Sequence, residues 1–256
     1  MPYRPIPEIR IEQRGPVALV TLNNPDERNA FTDAMHEGMR EIWQHLARDG
    51  AVRSIVLTGA GSAFAAGGNI PGFIRDVEDP ARRRETILGA RRLLDAMAEC
   101  PVPTIAAVNG PAVGLGCSIA VCCDLVLIAE SAFMADTHVS VGLVAGDGGA
   151  AIWPLLMCLH QAKYYLLTGE RIPADKCVEL GLANFAVPDA QLLERAIALG
   201  ERLAKQPQRA LEDTKRAINI HLQRAIAAVS PFALAAESES FSSDEVRAAI
   251  ERFKEK

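Results

Sequence analysis

The sequence predicts an α/β protein whose layered core runs through residues 1–190 and gives way to a helical region over 191–256. Three observations predict it. Short apolar runs alternate with helical patterns up to Val187, the order that builds layered α/β folds. The runs are apolar throughout rather than every second residue, as in strands covered on both faces. After Val187 only helical patterns remain.

The elements follow in order. Val17 to Leu22 is a β-rich run, stopped by the turn cluster Asn23-Asn24-Pro25-Asp26. Thr32 precedes a helical pattern with Met35, Met39, Ile42, Trp43 and Leu46 on one face. Ser54 to Thr58 is a second strand, ended by Gly59-Ala60-Gly61. Asp79-Pro80 opens a helix in which Ile87, Leu88, Leu93, Leu94 and Met97 recur. Pro103 precedes the strand Thr104 to Val108; a glycine loop, a short apolar helix and the strand Leu125 to Ala129 complete this stretch. Asn109, Pro111 and Asp124 interrupt it too often for a membrane span. Pro173 to Leu180 reads as a short helix closed by Gly181. Ala190 to Ala204 and Arg209 to Ala228 are helical patterns that must pack on their own core or on a neighbouring subunit.

Composition narrows the function. The 256 residues are 49% hydrophobic and 23% charged, ordinary for a globular chain. The net charge of −5 argues against non-specific nucleic-acid binding, which rests on neutralising phosphates. Met1 to Arg10 has no apolar core, so no signal peptide is expected and a cytoplasmic chain is. The six cysteines form no C-x-x-C pair and read as buried thiols rather than disulfides or a zinc site. No metal and no resident cofactor is expected.

Two glycine-rich loops follow strands, Gly61 to Ile70 and Asn109 to Cys117. The second feeds a helix whose first amides and dipole favour negative charge. One amide from each loop, aimed at one oxygen, would make an oxyanion hole; the alternative is two tight turns. Gly114-x-Gly116 lacks the third glycine of a dinucleotide fingerprint, Ile119 standing there, and no G-K-[ST] follows either loop. His138 and Asp147 lie nine residues apart in an apolar, glycine-rich run. A histidine oriented by a carboxylate is a general base suited to neutral pH; a purely structural pair is the alternative. His36 reads as a core histidine, and His45, His160 and His221 as helix-surface residues. Arg82, Arg83, Arg84, Arg91 and Arg92 read as a solvated helix face, or else as contacts to a phosphate-bearing ligand.

Several motifs resemble the crotonase superfamily, the enoyl-CoA hydratase/isomerase group, over nearly the whole chain. They are Asn24-Pro25-x-x-Arg28-Asn29-Ala30, Ala63-Phe64-x-Ala66-Gly67-Gly68-Asn69-Ile70 and Pro103 to Gly110, with Cys123-Asp124-Leu125, Leu167-Thr168-Gly169 and Gly181-Leu182-Ala183. The resemblance implies a spiral of ββα units with a C-terminal helical trimerisation region, assembled as a homotrimer or a dimer of trimers. It implies an acyl-CoA substrate, with coenzyme A present only as part of it, and an enolate held by the backbone amides of Gly68 and Leu115. The CoA-lining positions would be Arg28, Ala30, Ala66, Asn69 and Ile70. Phe253 and Lys254 are candidates to reach a neighbour's CoA.

The chain departs from hydratases of that group at the two water-activating glutamates, whose positions here hold Ser118 and His138. The loop aspartate of the group is here Asn69. The stretch His138 to Thr168 is similar to the β-diketone hydrolase branch typified by 6-oxocamphor hydrolase, with its His and Asp nine apart, Trp153-Pro154 and Tyr165 to Gly169. His36 and Glu237 match that branch too, and would shape or polarise the pocket. The expectation is therefore an acyl-CoA enzyme with hydratase-like lyase activity, His138 being the base for a water and Asp147 fixing its tautomer. Carbon–carbon hydrolysis of a β-diketone or a cyclic β-ketoacyl-CoA, by a retro-Claisen step, is one alternative. A non-catalytic acyl-CoA-binding subunit is the other.

Overall fold

The computed structural model describes residues 5–254, with side chains through residue 252. The chain enters as β1 (Ile9–Arg14), turns at Gly15, where φ is 58°, and returns antiparallel as β2 (Val17–Leu22). Next come α1 (Asp33–Arg48), β3 (Ser54–Gly59), α2 (Ile70–Glu78), α3 (Pro80–Glu99) and β4 (Thr104–Val108). They are followed by β5 (Ala112–Val113), α4 (Leu115–Cys122), β6 (Leu125–Ala129) and β7 (Phe133–Ala135). After a 3-10 turn over His138–Val141 come α5 (Gly149–Leu156), α6 (Leu159–Thr168), β8 (Ile172–Pro173), α7 (Ala174–Leu180) and β9 (Phe185–Val187). The chain closes with α8 (Leu192–Ala204), α9 (Gln208–Ser240) and α10 (Asp244–Lys254).

The main sheet has the order β1-β2-β3-β4-β6-β9, parallel from β2 onward, and β5-β7-β8 form a second, smaller sheet. Buried residues fill β2, β3, β4 and β6, as apolar strands between helical layers must. The helix α8 crosses β2, β3, β4 and β6. Its Gly200 lets it lie close: a Cβ there would stand 2.9 Å from the Ser54 hydroxyl and 3.2 Å from a Val17 methyl. Thr32 caps α1 by accepting from the Met35 amide, and the helix buries Met35, Met39, Ile42, Trp43 and Leu46.

The helical region packs on its own chain. The helix α9 lies against α3 and α5, and α10 against the 3-10 turn. Lys215 of α9 is buried and donates to the Val102 carbonyl at 2.8 Å, with its Nζ 2.7 Å from Asp124. Where the sequence pattern ends at Ala228, α9 runs through Pro231 to Ser240. A second hydrophobic cluster, distinct from the sheet core, joins Ile87 of α3, Leu143, Leu234 and Phe241 around α9, and Val246 and Ile250 of α10. It roofs the cavity described below.

Cys158 is exposed and the other five cysteines are buried, where burial pushes the Cys122 and Cys177 thiols up to about 12. Among the described residues no helix is long and apolar enough to cross a membrane.

Candidate active site

The first loop is built by an asparagine. Arg28 and Asn29 both adopt left-handed backbone, at φ of 53° and 56°, a conformation that Asn tolerates better than most residues. Asn29 is fully buried: its Oδ1 accepts from the Asn24 amide at 2.9 Å, and its Nδ2 donates to the Ala60 and Ala63 carbonyls at 2.9 and 2.8 Å. The turn at 24–30 is thereby fastened to the loop at 60–68. The Ala66 amide then donates to the Arg28 carbonyl, the Phe31 amide to the Gly67 carbonyl and the Asn69 amide to the Phe31 carbonyl. These bonds pass by the Gly68 amide. The Asn69 side chain is occupied as the cap of α2, accepting from the Gly72 amide at 3.1 Å.

The second loop ends at Gly114, at φ of 53°, and Leu115 is the first residue of α4. An amide at that position has no acceptor within its helix. Gly67, at φ of 90°, lies against this turn: a Cβ on it would stand 3.0 Å from the Val113 carbonyl oxygen and 3.9 Å from the Leu115 nitrogen. Both loops face a cavity of about 620 Å³.

Of the twelve residues singled out in the sequence, all but Ser118 line this cavity. Ser118 stands behind it, buried, and its hydroxyl donates to Asp147 Oδ1 at 3.1 Å. His138 Nε2 lies 3.3 Å from Asp147 Oδ2. A single carboxylate was expected on His138; two are present. Asp136 Oδ1 stands 2.6 Å from His138 Nδ1 and also accepts from the His138 backbone amide at 3.2 Å. So Asp136 holds Nδ1 and Asp147 faces Nε2. The only signal for Asp136 was its place two residues before His138, where β7 runs into the 3-10 turn.

The electrostatics follow from the packing. Burial opposes a charge on His138, but Asp147 and Asp136 outweigh it and hold the imidazole well above its ordinary pKa. Burial also acts on Asp147, yet His138 and the Ser118 hydroxyl keep its carboxyl below the usual range. Glu237 of α9 is pushed up to about 8, first by burial, against the pull of His138, and then by Asp147 and Asp136, so it is neutral at pH 7. Among the described residues one of its oxygens, Oε2, has no hydrogen-bond partner, and neither has His36 Nδ1. Burial lowers the His36 pKa. Asp136, His138 and Asp147 offer donor atoms within 4.8 Å of one another. The carboxylates sit at opposite nitrogens of one ring, however, which makes a hydrogen bond and an ion pair rather than one coordination sphere.

The arginine run is not one solvated face. Arg82 lines the cavity and pairs with Asp33 at 2.7 Å and Asp76 at 3.0 Å. Arg83 is buried, its guanidinium 5.8 Å from the centre of the Phe241 ring. The reason is α2, a helix the sequence pattern hides, which packs over the start of α3.

Comparison with known proteins gives a consistent answer. Residues 12–256 match the family model described as enoyl-CoA hydratase/isomerase. The chain is 31% identical over 249 residues to the short-chain-enoyl-CoA hydratase of Clostridium acetobutylicum, covering 96% of this chain and 94% of that one. It is 33% identical over 207 residues to the 1,2-epoxyphenylacetyl-CoA isomerase of Escherichia coli, covering 79% and 78% of the two chains. Among solved structures, an enoyl-CoA hydratase/isomerase from Mycobacterium paratuberculosis superposes with a TM-score of 0.93 at 46% identity, covering 96% of this chain and 98% of that one.

Proposed function

Because the chain belongs to the enoyl-CoA hydratase/isomerase family, we propose that it takes an acyl-CoA thioester into the 620 Å³ cavity and adds water across an α,β-double bond. The pantetheine and acyl groups run past Arg28, Ala30, Ala66, Asn69 and Ile70. The amides of Gly68 and Leu115 hold the thioester oxygen as it becomes an enolate. The His138–Asp147 pair activates the water. The observation that carries this reading is that pair, 3.3 Å apart, sharing one cavity with two backbone amides that no other backbone group among the described residues uses.

A second reading has its own support. Glu237 and His36 bring two further neutral polar groups to the cavity, more than hydration needs. They suit a substrate with a second carbonyl, in which the same water attacks the β-carbon. The Cα–Cβ bond then breaks and its electron pair passes to the enolate.

The test is turnover of crotonyl-CoA by the purified chain. Hydration at a rate well above background is the expected result. Failure to hydrate, in protein that binds CoA thioesters, overturns the hydratase reading. Cleavage of a cyclic β-ketoacyl-CoA or a β-diketone then establishes the second reading, and inertness to all three leaves a binding subunit.

The chain also has a surface suited to self-association as a homotrimer, single or paired. Leu155, Leu159, Tyr164 and Leu167 of α5 and α6 are 49%, 56%, 49% and 71% exposed, and exposed apolar side chains that form one patch mark protein–protein contacts. The region 191–256, expected to carry this contact, packs on its own chain through α9 and α10 and also leaves Ile218, Ile220 and Phe232 of α9 exposed. The side chains of Phe253 and Lys254 lie outside the described residues. Light scattering is expected to give at least three times the chain mass, falling to one chain in Leu167→Glu; a monomeric wild type overturns the assembly.

A further inference from the structure

We propose that Asp136 is a positioning residue that holds His138 doubly protonated, so that Asp147 accepts the proton of the attacking water and His138 supplies the proton that the substrate carbon takes up. This rests on the hydratase reading for the reaction, but the state of the ring does not.

The geometry separates the two carboxylates. Asp136 is 1% exposed and does not line the cavity, whereas Asp147 does. Asp136 Oδ1 takes two donors from one residue, the ring Nδ1 and the backbone amide of His138, so the ring is held against its own backbone. Gly149 abuts its other oxygen so closely that a Cβ there would stand 2.2 Å away. Asp136 thus cannot swing to meet a substrate. An ionised carboxylate only accepts hydrogen bonds. With Asp136 bonded at Nδ1 and Asp147 forming an ion pair 3.3 Å from Nε2, each ring nitrogen faces an acceptor that favours a proton on it, and the ring is held as an imidazolium. A ring so protonated cannot take a proton from water, so the base must be the group beside it.

Asp147 has the right remaining valence. Its Oδ1 is engaged by Ser118, and its Oδ2 meets His138 Nε2 where the cavity reaches them. The other groups facing the pair are known. Glu237 faces His138 from α9, and His36, from α1, faces Asp147, with Asp33 and Arg82 beside it. From α10, Glu245 packs its Cβ against Gly142, and α6 meets the 3-10 turn through Gly169 against Ser140 and Val139.

The protons balance. Water gives its oxygen to Cβ and one proton to Asp147. The π electrons of the double bond pass to the thioester oxygen as an enolate. The enolate re-forms the carbonyl as Cα takes the Nε2 proton of His138. Asp147 then returns its proton across 3.3 Å to Nε2, and both side chains are restored.

The experiment is nitrogen NMR of the full chain labelled in its five histidines, with His138→Gln to assign the signal. In the wild type both nitrogens of His138 are expected in the protonated range from pH 6 to 8. In Asp136→Asn the ring is expected to lose one proton within that window. The kcat of the variant falls about 10²-fold with KM unchanged, and its loss moves to lower pH, since a neutral ring cannot donate. A wild-type His138 that is neutral at pH 7 overturns the proposal, as does an Asp136→Asn ring that stays protonated throughout. The wild-type spectrum decides even if the variant does not fold. Because that spectrum needs no substrate, a failure to hydrate crotonyl-CoA sinks the hydratase reading and the proton route drawn on it, whereas a neutral wild-type ring sinks the role of Asp136; the two failures are read separately.

Discussion

Replacing His138 with alanine is expected to lower kcat on an acyl-CoA substrate by about 10²–10⁴-fold, the range a positioned acid–base group contributes, while CoA thioesters still bind. The ring links two buried carboxylates, touching Asp136 at 2.6 Å and Asp147 at 3.3 Å. Removing a charged member of a buried ion pair costs about 3–5 kcal/mol when the remaining charge is left uncompensated. Here the cost is smaller, because Asp147, whose carboxyl His138 helps to hold low, can take up a proton once the imidazolium is gone. The variant is therefore expected to fold with a lower melting temperature and to keep the parts of the site far from the ring. Asn29 still pins the loop at 60–68, and Leu115 still opens α4. Binding of a CoA thioester, followed by calorimetry, separates loss of chemistry from loss of fold. A variant that binds CoA and keeps kcat within about tenfold of wild type would remove His138 from the reaction, and with it the proposed mechanism.

How much of this was legible in the sequence depends on burial. The strands β2, β3, β4 and β6 are covered on both faces, so an unbroken apolar run announces each of them. The strand β1 is an edge: only Ile9 is buried and Ile11 is 37% exposed, so its residues carry no pattern. The pieces β5 and β8 are two residues long and β7 is three, too short for any period. The helix α2 hides because Asn69, which caps it, also ends a glycine loop, and its apolar side chains are divided between the cavity, lined by Ile70 and Phe73, and the second cluster, against which Ile74 and Val77 pack. In the site, His138 and Asp147 stood out as titratable groups in an apolar run. Asp136 did not, because a carboxylate two residues from a histidine is common and only the bend after β7 turns the two side chains toward each other. Glu237 lies 99 residues beyond His138 and meets it only because α9 folds back over its own cavity; no local pattern carries such a contact.

The substitution Gly116→Ala tests the oxyanion hole through packing alone. Two effects oppose each other. Alanine is the better helix former by about 0.8–1.0 kcal/mol, and Gly116 is inside α4. Against this, the new Cβ would stand 2.4 Å from the Ala65 carbonyl oxygen and 2.7 Å from the Ala65 Cβ. Those atoms cannot rotate away. The Ala65 carbonyl already accepts from the Val113 amide at 2.9 Å, and Ala65 pairs with Ala112 in a bridge between the loops. Overpacking of a rigid site costs about 1–3 kcal/mol or more, so the clash wins and the variant is expected to be less stable. The strain is relieved by moving the start of α4 away from the loop at 64–68, which carries the Leu115 amide away from that of Gly68. Loss of one oxyanion donor lowers kcat by about 10²–10³-fold, and KM should change far less, because the donor acts on the enolate more than on the thioester. Gly89→Ala is the matched control. Gly89 is also inside a helix, α3, but a Cβ there meets nothing within 4 Å, so it should stabilise by about 0.4–1 kcal/mol and leave kcat alone. If Gly116→Ala melts like wild type and turns over like wild type, the two loops are not held at contact distance, and the amides of Gly68 and Leu115 are not a rigid pair.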